Sequence, residues 1–313
     1  MEWTPRKVVI WGIGNDYEVI LNQIKFEMLK NNLTCEALIC RDKDAYAEKK
    51  DGFRIVKASD FCNLQFDYLI IASARYYKEI KEEAVRQGIE SDRIIDGSVF
   101  RLPLFDFRRY VSLIENPVTI LSDDCWGGGV YHRLKLPFSS PLINIWWDRD
   151  QYWKFIQKPF FYLDTPLQMV REGDLCKGIA PFGKLGKDGD YVELQLIHNY
   201  DFAGALEQWN RRVKRINREN LFVKMGFHSA HTEEKKERWI KAFEKVPYKK
   251  ILFYNGEEDL PEVFKQGNMR YMWKEKNADI VEIFDYNVYC RQNYQWDLDL
   301  LKLLVDGQEY SRY

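Results

Sequence analysis

The stretch Pro117-Val-Thr-Ile-Leu-Ser-Asp-Asp-Cys-Trp-Gly-Gly-Gly129 decides how the chain reads. Val118 to Leu121 is a short apolar run behind a proline, the pattern of a buried strand. Four residues with chemistry follow, Asp123, Asp124, Cys125 and Trp126. Three glycines come next, which permit a tight turn or a close approach to a ligand. A helical pattern resumes at Val130. Strand, polar turn and helix in that order are how an open α/β sheet presents ligand-binding residues at its strand carboxyl ends. The ordinary alternative is a glycine-rich turn with an aspartate cap and a buried cysteine.

Downstream, the spacing predicts strands over 142–146, 191–197, 221–227, 250–254 and 270–273. A helix over 202–218 carries an apolar stripe, Leu206, Trp209, Val213 and Ile216, and a separate basic row, Arg211, Arg215 and Arg218. A second helix is expected over 232–245, with Thr232 as its cap. Strand–helix–strand alternation implies parallel pairing, which puts all strand carboxyl ends on one edge. Ser122, Asp123, Asp124 and Cys125 follow the first strand, and His198, Asn199, Tyr200 and Asp201 follow 191–197. His228, Ser229 and His231 follow 221–227, and Asn255, Glu257 and Glu258 follow 250–254. Three of the four histidines and the Asp-Asp-Cys cluster therefore converge on one edge, where α/β active sites lie.

Cys125 is a candidate nucleophile with His198 as its base. Two neighbouring carboxylates disfavour its thiolate, so the aspartates are the stronger candidates. Adjacent Asp123 and Asp124 point opposite ways in extended chain, so one carboxylate serves as base or as orienter of a histidine. His228-x-x-His231 has the spacing of two metal ligands, but loop histidines are more often solvated, and no metal site is assigned. Asp201 is equally a helix cap. Trp126 is expected in an exposed turn, where its ring would stack on a sugar. The arginine row fits a phosphate clamp or, more often, a solvated helix face.

Residues 1–103 form the first domain and 104–313 the second, with a connecting helix over 105–114 that Asn116-Pro117 ends. The first domain alternates strands at 7–11, 35–40, 67–72 and 93–95 with helices from Tyr17 and over 76–87. The fold class expected for the chain is α/β, with two Rossmann-like three-layer domains and mainly parallel sheets. Gly12-x-Gly14 after the first strand begins a dinucleotide fingerprint, but Tyr17 stands where a third glycine belongs. Asp42 is the acidic residue near the second strand's end, and Arg41 precedes it. Gly12, Gly14 and Asn15 are the candidate phosphate- or cofactor-binding residues, through backbone N–H groups at the helix start. A domain that binds nothing and supports its neighbour is the equal alternative, and no cofactor is named.

The 313 residues carry a formal net charge of -1, which argues against a general electrostatic grip on nucleic acid or anionic membrane. Six cysteines without a Cys-x-x-Cys pair fit a reduced cytoplasmic protein. Met1 leads at once into a strand, so no signal peptide is expected, and no apolar run approaches the ~20 residues of a membrane span.

The first half resembles the small Rossmann-like domains fused to sugar-modifying enzymes of bacterial surface-polysaccharide pathways. The likeness rests on Gly12-Ile-Gly-Asn15, Asp67-Tyr-Leu-Ile-Ile-Ala-Ser73 and Gly88-Ile89 with Ile94-Ile95. In the second half, Ser122-Asp-Asp-Cys-Trp-Gly-Gly128, Phe138-Ser-Ser-Pro141, Trp153-Lys-Phe155, Tyr162-Leu163 and Trp209-Asn-Arg-Arg212 with Arg215-Ile-Asn217 resemble the marks of one bacterial family. It is domain-of-unknown-function family nineteen-nineteen, often labelled exopolysaccharide biosynthesis protein. The resemblance covers about residues 115–305, and its label gives a pathway context and no reaction. It implies motif positions at Asp123, Asp124, Cys125, Trp126, Gly127 and Gly128, and at Ser140, Pro141, His198, Trp209, Arg212 and Arg215.

The expected function is a cytoplasmic transferase acting on a sugar or activated sugar. Asp123, Asp124, Cys125 and His198 are its candidate catalytic groups. Ser122, Trp126, Gly127, Gly128, Ser140, Asn199, His228, Arg212 and Arg215 are its candidate substrate contacts. A nucleotide-sugar glycosyltransferase using a divalent cation at the aspartates is the alternative enzyme. A sugar-nucleotide sensor or assembly protein is the non-catalytic alternative.

Overall fold

Apolar runs with β-branched residues become the strands of two separate parallel sheets. The structure, a computed structural model, describes residues 3–41, 48–199, 201–228, 233–255, 271–272 and 299–307. The chain divides into two compact units, 1–114 and 115–313.

The first unit begins with β1 (Arg6–Trp11), whose last four residues are buried. Helix α1 (Asn15–Leu29) starts ahead of Tyr17 and buries Tyr17, Ile20, Leu21 and Ile24, one face at helical spacing. Next come β2 (Leu33–Cys40), β3 (Lys49–Lys50) and β4 (Phe53–Lys57). They are followed by β5 (Tyr68–Ile71), α2 (Tyr77–Arg86), β6 (Ile94–Asp96) and α3 (Phe107–Glu115). The sheet order is β3-β4-β2-β1-β5-β6. All neighbours pair parallel except β3 with β4. The hairpin turns through Asp51 (φ 54°) and Gly52 (φ 90°), and the spacing of apolar residues did not announce it. From β1 the chain steps outward to β2 and β4, then crosses back to β5, so strand order reverses beside β1.

The second unit holds β7 (Thr119–Ser122), β11 (Leu221–His228), β12 (Lys249–Asn255) and β13 (Tyr271–Met272). They form a parallel sheet in the order β13-β12-β11-β7. Helices α4 (Trp126–Arg133), α5 (Arg149–Gln157), α6 (Pro159–Leu163), α7 (Phe202–Val213) and α8 (Glu233–Phe243) lie between or after these strands. Helix α9 (Leu300–Asp306) comes last. The second sheet of this unit is antiparallel: β8 (Gln168–Arg171), β9 (Phe182–Lys187) and β10 (Asp190–Gln195), in the order β10-β9-β8.

Two expectations are corrected here. Residues 191–197 do not add a parallel strand; β10 closes a hairpin with β9, because Asp188 (φ 55°) and Gly189 (φ 79°) make a two-residue turn of the hairpin type. Residues 142–146 form no strand beyond a single antiparallel bridge from Trp146 to Gln195. The architecture is thus mixed α/β with mostly parallel pairing in the six-stranded sheet.

The second unit's core joins both sheets: Leu121, Val223 and Met225 of the parallel sheet cluster with Leu185, Val192 and Leu194 of the antiparallel one. Tyr152, Phe155 and Trp147 fill the space between them. Helix α7 ends at Val213, short of Arg218, and Asp201 caps its start by accepting from the Gly204 N–H at 2.6 Å. No helix among the described residues is long and apolar enough to cross a membrane.

Candidate functional site

The carboxyl end of β7 places Asp123 and Asp124 beside Lys224, whose strand β11 pairs it with Ser122. Asp123 is 6% exposed and Lys224 is fully buried, so both charges have left water. Such burial is tolerated only when charges are paired and hydrogen-bonded. Lys224 Nζ lies 2.9 Å from Asp123 Oδ1 and also bonds Asp124 Oδ2. Asp123 Oδ2 accepts from Arg149, the first residue of α5, and from the Gly226 N–H at 3.0 Å. Asp124 Oδ1 accepts from the Ser122 hydroxyl and the Trp126 N–H, both at 3.0 Å. The Tyr152 hydroxyl lies 2.8 Å from the carbonyl oxygens of Leu121 and Lys224, tying β7 to β11 behind the cluster.

This quartet separates the two aspartates. Burial raises the pKa of any carboxyl, but Lys224 and Arg149 outweigh it at Asp123 and hold that group below the usual range. At Asp124 burial and the Asp123 charge together outweigh Lys224, and its pKa is raised. Two carboxylates sharing one ammonium titrate as a pair, and on acidification Asp124 is the first of the two to take up a proton.

Cys125 is half-buried, and His198 is exposed with its Nε2 3.9 Å from the sulfur. Burial first, and the Asp124 charge second, push the Cys125 thiol up to about 11. The thiol is therefore neutral at physiological pH. His198 holds a positive φ of 63° in the loop after β10, so it reaches Cys125 from the antiparallel sheet and not from a parallel strand end.

The remaining candidates divide. Trp126 is fully buried and stacks on Phe222 at 6.1 Å between ring centroids. The expectation of an exposed ring fails because the glycines lie inside α4 and draw it onto β7. A Cβ on Gly127 would stand 3.1 Å from Ile120 and 3.2 Å from Ser122, and one on Gly128 would touch Ile143 at 3.4 Å. Ser140 is buried and accepts from the Leu142 N–H at 3.1 Å. Asn199 bonds the carbonyls of Leu196 and Ile197. Arg212 is buried, donates to the Ile143 carbonyl at 3.0 Å and lies over the Phe138 ring. Arg215 is exposed near the end of α7, and Arg218 pairs with Asp164. His228 ends β11, with its side chain outside the described residues. Ser229, His231, Tyr200, Glu257 and Glu258 lie outside them altogether, and so does the Asn255 side chain. Among the described residues no group of three His, Cys, Asp or Glu could hold a metal ion.

In the first unit, a crevice of about 590 Å³ opens at the carboxyl end of β1, lined by Gly12, Gly14, Asn15, Arg41, Ser73 and Arg75 among others. A Cβ on Gly12 would stand 2.6 Å from the Ala72 carbonyl oxygen, so the crossing of β1 past β5 already requires that glycine. Space around Gly14 is open. Tyr17, in place of a third glycine, is buried and bonds Asp51 at 3.0 Å. Arg41 pairs with Glu79 and Glu83, each at 2.8 Å. Asp42 lies outside the described residues.

The sequence pattern described as "Domain of unknown function (DUF1919)" matches residues 96–305. The chain belongs to this family. A second pattern, described as "C2185-like, N-terminal", matches residues 4–95. An "Uncharacterized protein" of Haemophilus influenzae is 28% identical over 193 residues, 61% of this chain and 85% of that protein. The charged quartet and His198 all fall within the DUF1919 region.

Lys224 and Arg149 are the site residues that sequence reasoning missed. Lys224 carried a signal: a lone lysine inside the apolar run Leu221-Phe-Val-Lys-Met-Gly-Phe227. Parallel strands are buried on both faces, so a lysine there demands a partner. Arg149 carried none, being one arginine at the start of a polar helix.

Proposed function

We propose that the β7 edge is the acid–base centre of an enzyme that transfers a sugar or activated sugar onto a hydroxyl acceptor. The observation that carries this reading is the pair of adjacent aspartates sharing Lys224 with opposite displacements of acidity. Perturbed carboxyls of this kind mark groups poised to move protons. Asp123 is the fixed charge. Asp124, 17% exposed at its side chain, is the base that a ligand can reach.

In the transfer, the acceptor oxygen attacks the anomeric carbon and its proton passes to the Asp124 carboxylate. The bond to the leaving group breaks, and that group departs with the bonding pair. His198 delivers a proton to it. Cys125 is not the nucleophile in this reading, because its thiol is held neutral. The sugar class rests on the family resemblance and not on the geometry.

A divalent cation fits the site less well. Asp123 already accepts from Lys224, Arg149 and Gly226, so a metal would have to displace two cations. The first unit's strand order supports a Rossmann-like reading of that unit by itself, with Gly12, Gly14 and Asn15 as phosphate-binding groups of its own crevice. Free thiols at Cys35, Cys40, Cys125 and Cys176 support a reducing, cytoplasmic setting.

The test is release of nucleotide from a panel of nucleotide sugars by the full chain, with simple glycosides as acceptors. Asp124→Asn should lose roughly 10²- to 10⁴-fold in rate, the span of a lost general base. Cys125→Ser should stay within a few-fold. The base works ionised and its pKa is raised, so the rate should fall with acidification above the ordinary aspartate range. Full activity in Asp124→Asn would end this reading, and donor binding without turnover would make the site a binding module.

A further inference from the structure

The structure regroups the arginines at the end of α7. Arg218 leaves the row to pair with Asp164. Arg212 joins it, although it is only 8% exposed. Arg215 stands i+4 from Arg211 and i+3 from Arg212, the spacings at which helical side chains are neighbours. It follows the last residue of α7, but its N–H bonds the Arg212 carbonyl at 2.9 Å, so the turn continues through it.

The Arg212 guanidinium donates once, from Nη1 to the Ile143 carbonyl at 3.0 Å, and lies over the Phe138 ring at 5.7 Å. No carboxylate faces it among the described residues. Burial, Arg211 and Arg215, in that order, all act against its charge. Lys224, equally deep in the same unit, has two carboxylates. A guanidinium does not shed its proton, so Arg212 stays charged where it is. The negative end of α7 favours cations, but by less than the burial of an ion costs. Nε and Nη2, whose N–H groups lie side by side, have no acceptor among the described residues, and neither is sealed from solvent. Arg211, Lys214 and Arg215 are exposed and hold no ion pair among the described residues.

We infer that Arg212, flanked by Arg211 and Arg215, binds the phosphate group of a small-molecule ligand. The Nε–Nη2 fork matches two oxygens of one oxyanion. Three guanidinium groups around one point suit the near-double charge of a phosphate better than the single charge of a carboxylate. A nucleic acid strand needs cations spread along a face, whereas these gather about one recessed group. The inference does not rest on the transferase reading above.

The experiment is calorimetric titration of the full chain with inorganic phosphate, methyl phosphate and pyrophosphate at fixed ionic strength, with acetate and succinate as carboxylate controls. At least one phosphate should bind, and the tightest of the three tells free phosphate from an ester or a diphosphate. Arg212→Lys keeps the charge and loses the fork, and it should weaken binding roughly tenfold or more. Arg211→Ala and Arg215→Ala should each weaken it a few-fold with an unchanged melting temperature, because both side chains are on the surface. Gly14→Val should leave this binding intact, which separates it from the crevice of the first unit. The inference is overturned if no phosphate binds, if the carboxylates bind as tightly, or if binding is lost in Gly14→Val and kept in Arg212→Lys. It is equally overturned if only oligothymidylate or anionic vesicles bind through these arginines. Should Arg212→Lys fail to fold, the two surface variants decide: wild-type binding in both overturns the inference.

Discussion

At the carboxyl end of β1 the chain turns through Gly12 and Gly14 into α1; at the carboxyl end of β7 it turns through Asp123 and Asp124 into α4. The first turn leaves a crevice of about 590 Å³ lined by Gly12, Gly14 and Asn15 among others. The second presents two carboxylates, each neutralised by cations from distant segments. The same strand–turn–helix therefore builds two different surfaces, decided by the residues in the turn. At β1 a missing side chain defines the surface, and at β7 a compensated charge does.

The sharpest way to break this contrast is Lys224→Met. It leaves two buried carboxylates short of their shared partner and should cost the second unit about 3–5 kcal/mol in urea unfolding. A loss below about 1 kcal/mol would mean that water, not Lys224, neutralises the pair. At the other edge, Gly12→Val puts a branched Cβ against the Ala72 carbonyl at a φ of 110°. About 3 kcal/mol of strain is expected there. Hydrogen exchange should show the loss in the first unit, and a silent substitution would show that β1 and β5 can separate freely. The smallest effect concerns Cys125. A thiol at about 11 in place of 9.0 carries about 100-fold less thiolate at neutral pH, so iodoacetamide should label it about that much more slowly than an ordinary thiol. Rapid selective labelling would return the cysteine to the centre of the site.

Much of the fold was legible where local pattern and environment agree. Buried parallel strands such as β1, β5, β7 and β11 are apolar runs, and α1 and α7 carry one-sided stripes, so both periods could be read directly. The antiparallel sheet was misread although Asp188-Gly189 between alternating residues is a strong hairpin signal; β10 by itself has the same look as a parallel strand. β8 was invisible because all four of its residues are exposed. At the candidate site, Asp123, Asp124, Cys125 and His198 stand out in the sequence from their places after strands, and the structure brings Cys125 and His198 within 3.9 Å although the strand before His198 is antiparallel. Trp126 was misplaced because its glycine neighbours serve helix packing, a fact of tertiary contact alone. Arg149 was beyond reach for the same reason.

The charged quartet draws Asp123 and Asp124 from β7, Arg149 from α5 and Lys224 from β11, and the Asp123–Lys224 bond spans 101 residues. Such long-range contacts close late, because the entropy of a large loop must be overcome before they contribute anything. The site is thus a record of completed folding. A nascent chain that ends before Lys224 has only Arg149 to set against Asp123 and no ammonium for Asp124, and the quartet is complete only when β11 arrives.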